Sequence, residues 1–147
     1  MIYLAADHAG FKFKETLKRY LTELGFELKD FGAFKFDSKD DYPDFILPLA
    51  REIAGHPEDK GIIIGGSGEG EAMAANRIKG VRAAVFYGHA TSVIKFSREH
   101  NDANVLSLGA RFMDEKMAKE AVKLWLNTPF SEEERHKRRI KKIDKLL

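Results

Sequence analysis

One pattern constrains this chain more than any other: short apolar runs alternate with stretches whose apolar residues recur at helical spacing. Ile2 to Ala6 is a compact apolar run that stops at Asp7, as a buried strand does. From Phe11 to Leu24 the residues Phe13, Leu17, Tyr20, Leu21 and Leu24 follow a helical spacing, and Gly25 is a natural stop. Phe26 to Phe31 reads as a second strand and Gly32 to Tyr42 as a polar loop. Pro43 can open a helix that reaches about Ala54, with Phe45, Leu49 and Ile53 turned inward. Gly61 to Ile64 is a third strand, apolar on both faces as a central parallel strand is. A glycine-rich turn leads to a short helix near Glu71 to Arg77. Strand Val81 to Phe86, helix Ala90 to Glu99, strand Val105 to Leu108 and helix Met113 to Leu126 follow. Five strands alternating with helices predict a parallel sheet covered on both faces.

The bulk numbers agree. A length of 147 residues suits one domain, over 1–147, with enough chain to bury a core. The absence of cysteine removes disulfides, thiolate metal sites and a cysteine nucleophile. Met1 to His8 lacks a basic start and a sustained apolar run, unlike a signal peptide. No apolar stretch approaches the roughly 20 residues of a membrane span, so a cytoplasmic location and no membrane partner are expected.

The net charge of +2 does not call for nucleic acid, but the charge is uneven. Arg135, Lys137, Arg138, Arg139, Lys141, Lys142 and Lys145 crowd the last segment, Ser131 to Leu147. Ser131 followed by Glu134 resembles a capping box, and Ile140, Ile143, Leu146 and Leu147 form a thin apolar stripe. Such a helix is either a frayed, solvated tail or a surface for another chain.

In open parallel sheets ligands bind beyond the carboxyl ends of the strands. Asp7 and His8 close the first strand, Gly65 to Glu71 follow the third, and His100, Asn101 and Gly109-Ala110-Arg111 flank the fifth. Four glycines in the six residues 65–70 can aim several N–H groups at one point, with a helix dipole behind them. A phosphate or a developing oxyanion fits such a loop. It is not a Walker loop, because no Gly-Lys-Ser/Thr follows, and the third glycine of a dinucleotide fingerprint is replaced by Glu71. Glu71 is either a dipole partner of its helix or a working base. Ser67 either donates to a substrate oxygen or satisfies the turn. Asn76 either orients a substrate group or caps the short helix. Asp7 with His8 forms an acid/base pair, or a strand-end carboxylate beside an imidazole that meets phosphate. His100 suits proton transfer near neutrality or is structural. His56 and His89 receive no role, and no His/carboxylate set has metal-ligand spacing, so neither metal nor cofactor is expected.

Taken together, Ala6-Asp7-His8-Ala9-Gly10, Asp41-Tyr42-Pro43, Gly66-Ser67-Gly68-Glu69-Gly70, Ala74-Ala75-Asn76, Gly80-Val81-Arg82-Ala83, His100-Asn101-Asp102-Ala103-Asn104 and Gly109-Ala110-Arg111 resemble the type B ribose-5-phosphate isomerase family. That family also holds the galactose-6-phosphate isomerase subunits. The motifs run in order along nearly the whole chain. The resemblance implies a three-layer α/β/α Rossmann-like sandwich with a five-stranded parallel sheet, and a C-terminal helix packed on the partner of a homodimer. It implies aldose–ketose isomerisation of a small phosphorylated sugar through an enediolate, without a metal. Many members carry a cysteine base just after the third strand. Here that position is Gly65, and the chain matches instead the branch with a glutamate base, at Glu71. By the same resemblance Glu71 shuttles the proton, while Ser67 and the loop Gly66, Gly68, Glu69 and Gly70 stabilise the enediolate. His100 and Asp7 assist ring opening, His8 and Arg111 contact phosphate, and Asn101 and Tyr42 line the sugar site. Arg135 and Arg139, i,i+4 on one helix face, clamp the phosphate with help from His136.

Three other readings stand beside this one: a six-carbon sugar phosphate as substrate, a non-catalytic sensor of a phosphorylated metabolite, and nucleic-acid binding by the basic tail. The sensor would need neither Glu71 nor His100. The tail lacks the aromatic interleaving of a nucleic-acid surface. Whether dimers pair into tetramers is open at this level.

Overall fold

The computed structural model describes residues 1–146. Five strands, β1 (Ile2–Ala6), β2 (Leu28–Asp30), β3 (Lys60–Gly65), β4 (Ala83–Phe86) and β5 (Val105–Gly109), form one sheet in the order β2-β1-β3-β5-β4. Every pairing is parallel. Six helices accompany them: α1 (Phe11–Glu23), α2 (Pro43–Gly55), α3 (Glu69–Ala75), α4 (Thr91–Glu99), α5 (Glu115–Leu126) and α6 (Glu134–Asp144).

Strand alternation sorts the core into two layers. Ile2, Leu4, Ala6, Ile62 and Ile64 point to one face and meet Leu17 and Leu21 of α1, Ile94 of α4 and Val122 and Trp125 of α5. Tyr3, Ala5 and Ile63 point to the other and meet Ile46, Leu49 and Ile53 of α2 and Ala75 of α3. Strands β1, β3 and β5 are therefore covered on both sides, which is why they read as unbroken apolar runs. A buried ion pair ties α1 to the edge strand: Lys14 Nζ, with no exposed surface, donates to both carboxylate oxygens of Asp30 at 2.6 and 2.8 Å.

The expected sandwich is present, with local corrections. Strand β2 is three residues long rather than six, although the residues flanking it still bond β1: Ile2 N–H donates to the Glu27 carbonyl at 2.9 Å and Phe31 N–H to the Leu4 carbonyl at 2.8 Å. Phe45 is only half-buried, and Ile46 takes the inward place one residue later. The capping box at Ser131 does not form. Glu133 is the N-cap of α6 and makes no side-chain cap bond, while the Ser131 hydroxyl lies 2.7 Å from His136 Nδ1.

Helix α6 stands apart. Among the described residues it packs on none of the other helices or strands, and only His136 in its first turns is buried. Ile143 and Leu146 of the apolar stripe are exposed. Leu147, expected on the same stripe, lies outside the described residues.

Candidate active site

The chain order reverses direction between β1 and β3, so the loops leaving these two strands splay apart and open a crevice at their carboxyl ends. Asp7 and His8 enter it from β1. Asp7 Oδ1 accepts the N–H groups of Ala9 (3.0 Å) and Gly10 (3.2 Å), which shapes the turn into α1. A β-carbon on Gly10 would strike the Ile64 carbonyl, so a glycine there lets the turn sit directly against the end of β3.

The glycine loop is fixed from several sides. Gly68 adopts a left-handed φ of 81° as the N-cap of α3, and Ser107 Oγ donates to its carbonyl at 2.6 Å. The Gly65 and Gly66 carbonyls accept from Ala110 N–H (2.9 Å) and Arg111 N–H (3.0 Å), which zips the loop to the end of β5. The Arg111 guanidinium then lies over Gly66, and the Tyr42 ring lies on Gly70. Ser67 Oγ accepts the Glu69 N–H at 3.2 Å, and Glu69 itself points to solvent.

Glu71, on the first turn of α3, is 4% exposed. Its carboxylate fills the space beside Gly65 where any β-carbon would stand. Burial pushes its pKa above the ordinary glutamate value, and the Asp7 charge pushes the same way. A hydrogen bond from its own backbone N–H opposes both. The carboxyl thus holds protons more tightly than an exposed glutamate does.

His8 is held by a residue that sequence reasoning missed. Asp40, from the loop before α2, accepts the His8 backbone N–H at 3.1 Å and lies 2.7 Å from His8 Nδ1. That bond raises the His8 pKa, burial opposes it, and Asp7, 3.8 Å away, adds to the rise. Nothing in the string Asp37-Ser-Lys-Asp40-Asp41 marks Asp40 apart from its acidic neighbours; only the folded loop selects it. Asp7, His8 and Asp40 each bring a donor atom within 4.8 Å of the others, a spacing a divalent cation could use. The 2.7 Å contact is that of a hydrogen bond and accounts for the His8–Asp40 pair without one.

The remaining candidates lie elsewhere. His100 and Asn101 were expected at the carboxyl edge, but α4 runs back antiparallel to β4 and delivers them to the amino edge, ahead of β5. There the His100 ring stacks on Phe96, with centroids 4.8 Å apart, and meets His136 of α6 at 4.5 Å. Burial lowers the His136 pKa. Arg135 and Arg139 project from the same helix and are exposed, with Arg135 Nε on Glu133 at 2.7 Å. Asn76 also stays away from the crevice. It is the C-cap of α3, and both ends of its amide bond the backbone of Ala83, at 3.0 and 2.7 Å. One chain therefore carries two separate polar sets: Asp7, His8, Asp40, Tyr42, Glu71 and Arg111 at one edge, and His100, Asn101, Arg135, His136 and Arg139 at the other.

Comparison with known proteins places these observations. The model of the Ribose/Galactose Isomerase family matches residues 2–143. Ribose-5-phosphate isomerase B of Mycobacterium tuberculosis is 39% identical over 139 residues, covering 95% of this chain and 85% of the relative. The putative sugar phosphate isomerase YwlF of Bacillus subtilis is 38% identical, covering 97% and 93%. Among solved structures, ribose-5-phosphate isomerase B from Mycoplasma genitalium with bound ribulose-5-phosphate superposes with a TM-score of 0.93 at 37% identity, covering 99% and 94%. The Thermotoga maritima ribose 5-phosphate isomerase gives 0.91 at 40%, covering 98% and 97%. With a family model spanning nearly its whole length and relatives this similar over both chains, this protein belongs to the ribose/galactose isomerase family.

Proposed function

We propose that this chain is an aldose–ketose isomerase that interconverts ribose 5-phosphate and ribulose 5-phosphate, with Glu71 as the base that carries the proton. The observation behind this reading is the seat of Glu71: a buried carboxylate with raised proton affinity, at the root of a loop rich in backbone amides. A carboxyl tuned upward in this way is suited to general base work near neutrality.

The chemistry follows from that placement. In the open-chain aldose, the hydrogen on C2 is α to the C1 aldehyde. Glu71 removes it, the C–H pair becomes the C1=C2 bond, and the carbonyl pair moves onto O1. Amides of Gly66 to Gly70 and the Ser67 hydroxyl are the donors for that charge. A proton passes from the C2 hydroxyl to O1, and Glu71 returns its proton to C1 as the C2 carbonyl forms. His8 and Arg111 hold the phosphate, and Tyr42 lines the sugar path. Remote phosphate binding keeps the reacting carbons beside one carboxylate.

His100, Asn101, Arg135, His136 and Arg139 enter this reading from a second copy of the chain. They sit on the wrong edge to reach Glu71 of their own chain, and a two-fold pair can lay one copy's amino edge over the other's carboxyl edge. Among the described residues no helix is long and apolar enough to cross a membrane. A cytoplasmic location goes with the reading because charged sugar phosphates are made and retained there.

The test is conversion of ribose 5-phosphate to ribulose 5-phosphate with EDTA present, wild type beside Glu71→Gln. Turnover in the wild type and none in a folded variant is the expected result. Turnover in both removes Glu71 from its role. Turnover in neither moves the substrate to six-carbon sugar phosphates.

A further inference from the structure

We propose that Asp40 is a positioning residue for anion binding: it anchors the His8 ring through Nδ1 so that Nε2–H is presented as a donor to the anion that His8 shares with Arg111. The inference rests on the phosphate reading of His8 given above and adds a residue to it. The Asp40 side chain is 9% exposed, and its Oδ1 grips both the backbone N–H and the ring of His8. Its Oδ2 is buried with no hydrogen-bond partner among the described residues, so the ring is the main compensation for burying this carboxylate.

The logic lies in the two ring nitrogens. With Nδ1–H engaged by Asp40, a neutral His8 offers only a lone pair at Nε2, which repels phosphate. The imidazolium has an N–H at both nitrogens and can serve Asp40 and phosphate together. The charged groups facing His8 are Asp40 and Asp7, which favour the cation, and Arg111, which opposes it. Arg111, and Arg135 and Arg139 of a second copy, are guanidiniums that keep their charge throughout the working range. His8 is thus the protein group on this contact whose charge changes near neutrality. Its raised pKa keeps the cation at pH values where a free histidine has lost it, and the advantage disappears as pH rises through the folded-state value.

The experiment measures competitive inhibition by inorganic phosphate from pH 6 to 9 in wild type and Asp40→Asn, with a nitrogen-detected titration of the His8 ring. The ratio of inhibition constants, variant over wild type, cancels the titration of phosphate itself. It should be near one at pH 6 and grow to about tenfold by pH 8, with His8 titrating at lower pH in the variant. Asp40→Ser, smaller and also uncharged, guards against a folding defect and should give the same pH-dependent ratio. A ratio above one but equal at every pH means a purely structural role and overturns the proposal. An unshifted His8 titration does the same. A shifted titration with a ratio of one at all pH values overturns the phosphate role of His8 on which the proposal stands, while isomerisation by Glu71 would survive it.

Discussion

A single methyl group at Gly65 tests the seat of the proposed base. A β-carbon there would place the Glu71 carboxyl atoms well inside the 3.0 Å that real β-carbons essentially never go below. The carboxylate must then retreat by about 1 Å, a displacement that typically costs on the order of a hundredfold in rate. Gly65 has no left-handed backbone and closes a strand buried from Gly61 onward, so its backbone accepts alanine. For Gly65→Ala we expect kcat to fall about a hundredfold, about 2.7 kcal/mol of transition-state stabilisation, with KM little changed because the phosphate contacts are untouched. The assay is steady-state isomerisation for wild type, Gly65→Ala, Glu71→Ala and the double variant. If both changes act on one carboxylate, the double variant is no slower than Glu71→Ala alone, and the coupling energy equals nearly the whole Gly65→Ala effect. Full activity in Gly65→Ala, or losses that simply multiply, would refute the claim that the two residues share one functional space.

Glu71→Gln should raise thermal stability while it abolishes turnover. The raised folded-state pKa means the carboxylate costs stability as pH climbs from its unfolded to its folded value, so a neutral amide is the more stable at pH 7, read as a higher Tm. Mixing refolded Glu71→Gln with Arg139→Ala tests whether the site is shared between copies: random pairing makes half the dimers mixed, each with one intact site, and restores about a quarter of wild-type activity. No recovery would confine the site to one chain. Asp30→Ala should cost about 3–5 kcal/mol in denaturant unfolding, because it leaves the buried Lys14 ammonium with only the exposed Glu15 carboxylate, 3.5 Å away. Burial alone would raise the Asp30 carboxyl, but bonds from Lys14, Lys18 and the Gly32 N–H outweigh it and lower the pKa. Its stabilisation is therefore present above the unfolded pKa and lost as pH falls through the lower folded value.

How far the sequence could be read depended on whether a signal was local. Strands β1, β3 and β5 were legible because burial on both faces leaves continuous apolar runs, and Gly25 marked the end of α1 through its left-handed turn, φ 86°. Glu71 stood out because a carboxylate is unusual beside a loop built to collect anions. His100 and Asn101 were recognised as polar candidates but assigned to the wrong edge, since proximity to β5 in sequence does not say which end of the strand they meet. A loop entering a parallel strand lies at its amino end. Ser131 looked like a cap because the capping pattern is a spacing rule; the nearby His136 ring competed for the hydroxyl. Asp40 was invisible because its importance comes entirely from a fold that brings residue 40 to residue 8.

Helix α6 runs for 11 residues, a rod of about 16 Å. A peptide that short is marginal as a helix in water. Its own chain secures it mainly through the His136 ring, and leaves Ile143 and Leu146 bare. If its arginines serve a neighbouring copy, the order of the helix comes from the same encounter that gives it a task. Dilution would then do more than separate two bodies. Each separated chain would lose the shape of the part it lends, and specific activity would fall with concentration even while the sheet and its crevice stayed folded.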